Sequence, residues 1–281
     1  MFSPSAKFEI VTTRMGALSI RDNRTQEIMH NPVGPWIEAN SLYIEQSQLR
    51  RRLGENLKEE LVIFDVGLGA AANALAVLHC ARELNTRRPL RLVSFERDLE
   101  LLAFALENSH HFKHFAGFEK AVRSILDRGV WEDSGVTWEL RHGCFIELID
   151  SEPNYADLIY YDPYSFKTNL EMWVPEVFRK VRKKCRRNGI LYTYTRATPI
   201  RVGLLIAGFY LGKGVATGAK EETTQASLRL EDLANPLGRE WFTRWQRSRH
   251  PNAAGAAAAD FPKVKEFVLS HTQFAKPVCK G

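Results

Sequence analysis

The sequence predicts an α/β protein built on a parallel sheet with helices on both faces. Three observations predict it. Short apolar runs alternate with longer helix-like stretches from residue 61 onward. The first run, IFDV, passes directly into Gly67-x-Gly69 and then an alanine-rich segment, as a strand does when it turns into a helix. Two later runs, LRLVSFE and ADLIYYD, each end in an acid, at Glu96 and Asp162.

Taken in order, residues 8–13 and 17–21 read as strands, and a turn-rich stretch holds Pro32, Gly34 and Pro35. Residues 41–51 form a short helix or strand. Strands follow at 61–65, 90–96, 137–141, 156–162 and 189–194. Helices occupy 70–84 and 99–108, where straight-chain residues and alanine dominate. Residues 170–185 are helical, with Pro175 marking a first turn or a kink. The stretch NAAGAAAA at 252–259 is a flexible linker or a weak helix. The organisation expected is an N-terminal extension packing on the core (1–60), a main unit (61–250) and a C-terminal appendage (251–281). No internal repeat is visible.

Composition narrows the classes. The chain has 281 residues and is 44% apolar, enough for a sizeable core. No apolar run reaches membrane-spanning length. The start, MFSPSAKFEI, lacks a signal-peptide profile. Cys80, Cys144, Cys185 and Cys279 are scattered without a C-x-x-C, which argues against a disulfide framework or a zinc site. These features predict a cytoplasmic protein. A net charge of +6 says little until its distribution is known.

Ligands of open parallel sheets bind at the carboxyl ends of the strands. Gly67 and Gly69 sit there, where missing side chains let a ligand approach the backbone and the helix start offers N–H groups. The pattern suits a dinucleotide, with Ala72 in the last position, or S-adenosylmethionine. A tight turn with no ligand is the plainer alternative. Asp65 is placed to reach a methionine amino group. Glu96 is placed to accept hydrogen bonds from two ribose hydroxyls, a feature nicotinamide sites share. Asp162-Pro163-Tyr164 puts a carboxylate, a rigid residue and a ring at the crevice lip. That equipment suits transfer to nitrogen: the acid holds an N–H while the ring packs on a planar base. An ordinary strand end explains it equally well.

Taken together and in this order, YIEQSQL (43–49), VIFDVGLGAAANAL (62–75), LVSFE (92–96), ADLIYYDPYSFKTNLEMW (156–173) and NGILYTYTRATPIRVGLLIAGF (188–209) carry a resemblance. The chain resembles the tRNA 5-methylaminomethyl-2-thiouridine methyltransferases over roughly residues 40–220, in their stand-alone form. The resemblance implies a Rossmann-like S-adenosylmethionine-dependent methyltransferase fold. It implies S-adenosylmethionine as cofactor and the aminomethyl nitrogen of a modified wobble uridine as acceptor. The family's G-x-G-x-G-x-N falls on Gly67, Gly69, Ala71 and Asn73. Its Phe-Glu falls on Phe95 and Glu96, its strand-end acid on Asp162, and its Met-Trp on Met172 and Trp173. Glu45 matches an acid near the methionine moiety, and Cys144 stands where the family has an Asp near the adenine. The implied cofactor set is Glu45, Asp65, Gly67, Gly69, Asn73, Glu96 and Cys144, and the implied catalytic pair is Asp162 and Tyr164. The family's D-G-F-x-P-x-K-N-P becomes DPYSFKTNL, with Lys167 one place from the family's lysine. That change keeps other acceptors open, a protein or small amine. A nicotinamide oxidoreductase or a non-catalytic nucleotide-binding protein is the more distant alternative.

The implied partner is the anticodon loop of a tRNA. Seven Lys or Arg fall between Arg179 and Arg187, and phosphate binding needs such clusters. A solvated helix end needs them too. In REWFTRWQRSRH (239–250) the aromatics are expected in the core. His110, His111 and His114 lack a clear third-ligand spacing for a metal and are expected as a surface or helix-end cluster. Neither a metal nor a membrane is expected.

Overall fold

The computed structural model describes residues 7–29, 33–85, 88–217 and 221–274. The chain opens with β1 (Phe8–Thr12), β2 (Leu18–Asp22) and β3 (Glu27–Ile28), a small antiparallel sheet. Then come α1 (Pro35–Ala39), a π-helical turn over Asn40–Glu45, and α2 (Leu49–Gly54). The main unit runs β4 (Leu61–Val66), α3 (Ala72–Leu84), β5 (Leu90–Glu96), α4 (Glu100–Glu107), α5 (Glu119–Arg128), β6 (Val130–Asp133) and β7 (Val136–His142). It continues with α6 (Phe145–Ser151), β8 (Ala156–Tyr161), α7 (Pro175–Lys184), β9 (Cys185–Thr193), α8 (Thr198–Ile206), β10 (Tyr210–Gly214) and β11 (Thr223–Ser227). The last helices are α9 (Arg239–Gln246) and α10 (Phe261–Ser270).

The main sheet has eight strands in the order β10-β11-β9-β8-β4-β5-β7-β6. Its five central strands are parallel, as the alternating pattern requires. The edges are not: β6 pairs antiparallel with β7, and β11 with both β9 and β10. The parallel sheet expected from the sequence is its centre, and the antiparallel strands lie outside the strands expected. These edge strands are rich in charged or small residues, so the apolar-run signal is weak at them.

Alternation along β4 divides the core. Leu61 and Ile63 face α1 to α5, while Val62, Phe64 and Val66 face α6 to α10. Helix α3 lies closely on the first face because Ala72, Ala74, Ala76 and Ala81 are buried along it. Each fully buried aromatic, such as Trp138, Trp173 or Trp245, contributes about 2–3 kcal/mol of transfer free energy. Pro175 begins α7 at its first position, and a separate 3-10 turn covers Leu170–Trp173. The low-complexity stretch is followed by α10, which packs on α8, and Ala253 and Ala254 are buried.

Among the described residues no helix is long and apolar enough to cross a membrane. His114 departs from the expected surface cluster. It is buried, with its ring stacked on Trp36 at 5.8 Å, and only His110 and His111 stay together outside. Cys279 and residues 1–6 of the expected leaderless start lie outside the described residues.

Candidate active site

The strand order reverses at β4, where β5 lies on one side and β8 on the other. Such switch points open a crevice at the carboxyl ends. A cavity of about 780 Å³ fills it.

Its floor is the β4–α3 turn. Gly67 has φ +89°, and a Cβ there would lie 2.8 Å from the Asp162 carbonyl oxygen and 2.9 Å from Pro163 Cα. The glycine is therefore required by the approach of the β8 loop, in addition to any ligand. Gly69, at φ +53°, has no such neighbour, and its N–H donates to Glu96 Oε2 at 3.0 Å. Glu96 Oε1 accepts the N–H groups of Arg97 and Asp98 at 2.7 and 3.0 Å. The carboxylate at the end of β5 is thus fixed by backbone before any ligand arrives. Ala71, where the third family glycine would stand, is left-handed at φ +61° and immediately precedes α3.

At the end of β8, Asp162 Oδ2 accepts the Asn73 amide at 2.7 Å. Asn73 is itself buried, and its Oδ1 has no hydrogen-bond partner among the described residues. Tyr164 donates to Asp22 Oδ2 at 3.2 Å. Burial first, then the Asp22 carboxylate, raises the Tyr164 hydroxyl well above its ordinary range. Burial also acts to raise Asp22, but the Arg24 guanidinium outweighs it and holds that acid below the usual range. Glu27 accepts from Ser165 Oγ and, at 2.5 Å, from Thr168 Oγ1. The N-terminal sheet thereby grips the 162–169 loop and supplies Phe8, Arg24 and Glu27 to the cavity wall.

Of the residues implied by the sequence, Gly67, Gly69, Asn73, Glu96, Cys144, Asp162 and Tyr164 line this one cavity. Two others do not line it. Asp65 is fully buried on the opposite face of β4, where its Oδ2 accepts Ser94 Oγ at 2.8 Å. Strand alternation turns it away from the crevice. Glu45 is exposed and outside the lining. Seven residues earlier Glu38 is buried and lines it. On a regular helix the two would share a face. The π turn inserts a residue between them, which rotates the later part of the helix by about 100°.

Sequence reasoning missed Glu38, Arg24 and Glu27. The available signal was an acid set among apolar residues in PWIEANSLYI. The cavity is acidic: Glu27, Glu38, Glu96, Asp98, Asp162 and Glu171 line it against Arg24 and Arg97. Arg24 is itself shared between Asp22 and Asp98, at 3.1 and 3.6 Å. Among the described residues no group of three or more His, Cys, Asp or Glu is arranged to hold a metal ion.

Residues 128–229 match the model of a family described as S-adenosyl-L-methionine-dependent methyltransferase. The chain is similar to the tRNA 5-methylaminomethyl-2-thiouridine biosynthesis bifunctional protein MnmC of Vibrio campbellii. The two are 27% identical over 250 residues, covering 81% of this chain and 37% of that protein. The protein of the same name from Cupriavidus metallidurans is 29% identical over 254 residues, covering 84% and 36%. The chain thus spans little more than a third of these relatives. Among solved structures, MNMC2 from Aquifex aeolicus superposes with a TM-score of 0.72 at 20% identity, covering 95% of this chain and 86% of that one. The fold is therefore the Rossmann-like S-adenosylmethionine-dependent methyltransferase fold, and the chain is similar to the MnmC proteins over most of its own length.

Proposed function

We propose that the chain is an N-methyltransferase that uses S-adenosylmethionine to methylate the aminomethyl group of a modified wobble uridine in tRNA. One observation carries the reading. Two carboxylates stand fixed at the carboxyl ends of β5 and β8, on either side of β4, inside one acidic cavity, Glu96 by the Gly69 amide and Asp162 by Asn73. The methyl donor is cationic at sulfur, and an alkylamine acceptor is cationic at neutral pH. A net negative cavity draws in both.

The residues fit the donor. A carboxylate has about four acceptor sites, and Glu96 already takes three backbone N–H groups, so it retains capacity for one ribose hydroxyl. Asn73 Oδ1, buried and unpaired among the described residues, offers an acceptor to a ligand N–H. Cys144, just before α6, stands on the wall beside Phe145 and Ile146, where a planar adenine packs.

What the donor supplies is a methyl group whose C–S bond breaks as the N–C bond forms, leaving its electron pair on a neutral thioether. The chain supplies the rest. Asp162 takes one proton from the acceptor ammonium, which frees the lone pair, and orients the neutral amine in line. Tyr164, fixed through Asp22, packs against the base. A wobble base lies in a single-stranded loop, so swinging it into the cavity costs little. A tRNA substrate places this work in the cytoplasm.

The test is transfer of labelled methyl to bulk tRNA that lacks the wobble methyl group, followed by nucleoside analysis. Label in a 5-methylaminomethyluridine supports the reading. Binding of S-adenosylhomocysteine without label in tRNA moves the acceptor to another amine. Binding of NAD in its place removes the reading.

A further inference from the structure

Among the described residues six acids line the cavity against two arginines. A polyanion that offers one base to such a cavity is repelled at its mouth unless cations stand on the rim. The basic run 179–187 is not on that rim, because α7 runs into β9 at the amino ends of the strands. The stretch 239–250 reaches it. Strand β11 pairs antiparallel with β9, Thr224 opposite Thr193, so Glu221 and Glu222 stand just past the carboxyl end of β9. Tyr194, the next residue after β9, lines the cavity, and its hydroxyl donates to the Pro163 carbonyl at 3.2 Å. Two places on, the exposed Arg196 reaches Glu221 at 3.3 Å. Arg244, exposed on α9, approaches Glu222 at 3.8 Å. Beyond α9 the chain stays at this end. The Ala254 N–H donates to the Pro199 carbonyl in the first turn of α8 at 3.3 Å. A Cβ on Gly255 would lie 2.8 Å from Val174 Cγ1, just before α7. Arg247 and Arg249 lie between these anchors. Their loop is pinned, because Trp241 and Trp245 are buried and Trp245 Nε1 donates to the Pro251 carbonyl at 2.9 Å. Both arginines are exposed, and neither makes an ion pair among the described residues.

We propose that Arg247 and Arg249, with Arg196 and Arg244, form a docking ridge for the sugar-phosphate backbone of the RNA strand whose base enters the cavity. The inference rests on the tRNA reading and deepens it by naming the surface that holds the strand. A guanidinium takes a phosphate through paired N–H groups. Arg247 and Arg249 have no acid to give up. Arg196 and Arg244 face acids in pairs that water screens, and such pairs are weak enough for a phosphate to replace the glutamate. The pinned loop sets the two free cations in place before RNA arrives, which lowers the ordering cost of binding. Contacts to phosphate position a strand and carry no sequence information. The ridge therefore supplies attraction, and the acidic cavity is left to read the base.

The experiment compares wild type with two double variants, Arg247→Gln with Arg249→Gln and Arg247→Lys with Arg249→Lys. All three are first shown to fold by melting temperature and by S-adenosylhomocysteine affinity. Binding of tRNA lacking the wobble methyl group is then measured over a salt series, beside methyl transfer to the same tRNA. The Gln pair is expected to weaken tRNA binding at least about fivefold near 0.1 M salt and to reduce the slope of log affinity against log salt by roughly 1.5, the worth of two phosphate contacts. The Lys pair should return both to within about twofold of wild type, because a phosphate is held by charge. Unchanged affinity and slope in the Gln pair, with a wild type that methylates tRNA, overturns the ridge and leaves the tRNA reading standing. A loss that the Lys pair does not restore also overturns it, since the arginines would then act through packing. A wild type that binds S-adenosylhomocysteine but neither binds nor methylates tRNA removes the reading and the ridge with it.

Discussion

The two ends of the parallel strands differ in charge and in what the charge does. At the carboxyl ends, acids converge on an apolar-floored cavity, and backbone N–H groups or Asn73 hold the two central ones. At the amino ends, where α7 runs into β9, lies the densest basic run of the chain. Much of that run is engaged locally. Lys180 reaches Asp150 at 2.5 Å and the Ile146 carbonyl, Arg182 reaches the Gly208 carbonyl, and Arg186 reaches the Tyr155 carbonyl. The residues of β8 separate the two ends by about 20 Å at roughly 3.3 Å each. Charge counted along a sequence therefore does not locate a nucleic-acid site. Here the positive run closes a helix end, and the candidate cavity sits where acids from distant parts of the sequence converge.

The sharpest way to break this contrast is Asp162→Asn. It keeps the bond geometry toward Asn73 but removes the proton acceptor. Turnover with an amine should fall by about 10²-fold or more, with S-adenosylhomocysteine affinity within a few-fold. An equal loss of both would make Asp162 a donor residue. Next comes Gly67→Ala. Its Cβ meets backbone on the β8 loop at 2.8 Å and its φ is left-handed, so thermal unfolding should show a loss of about 2 kcal/mol or more. Ala71→Gly works in the other direction. It relieves a left-handed alanine at the start of α3 and should stabilise the protein by about 1 kcal/mol, read as a rise in melting temperature. The smallest effect tests the opposite end. Lys183 and Arg187 are exposed on the basic run. Replacing both with Ala should change methyl transfer to tRNA by less than about twofold, since solvated charges far from a site are screened. A large loss would mean that tRNA wraps to the far end.

Much of the fold was legible because burial on both faces writes itself as apolar runs. The strands around β4, β5 and β8 show this, as does the glycine turn. Asp162 and Glu96 were legible for the same reason, as acids at the ends of such runs. What escaped depends on tertiary geometry. Asp65 and Glu96 look alike in sequence, but the alternation of β4 buries the first against Ser94. Glu38 and Glu45 exchange places because a π turn shifts the helix face. The grip of Glu27 on Ser165 and Thr168 joins residues 138 and 141 positions apart, a distance over which no local pattern carries information. The edge strands β6 and β10 lack the two-sided burial that marked β4, β5 and β8, and β11, though buried along most of its length, is written in Thr, Gln, Ala and Ser with no large apolar residue.

The most direct test of the account is calorimetric titration of S-adenosylhomocysteine into wild type and Glu96→Gln. The account predicts binding to wild type, and affinity at least about tenfold weaker in the variant, where one charged acceptor for the ribose is lost. Equal affinity in the two proteins would contradict it, since the fixed carboxylate at the end of β5 would then hold no part of the donor.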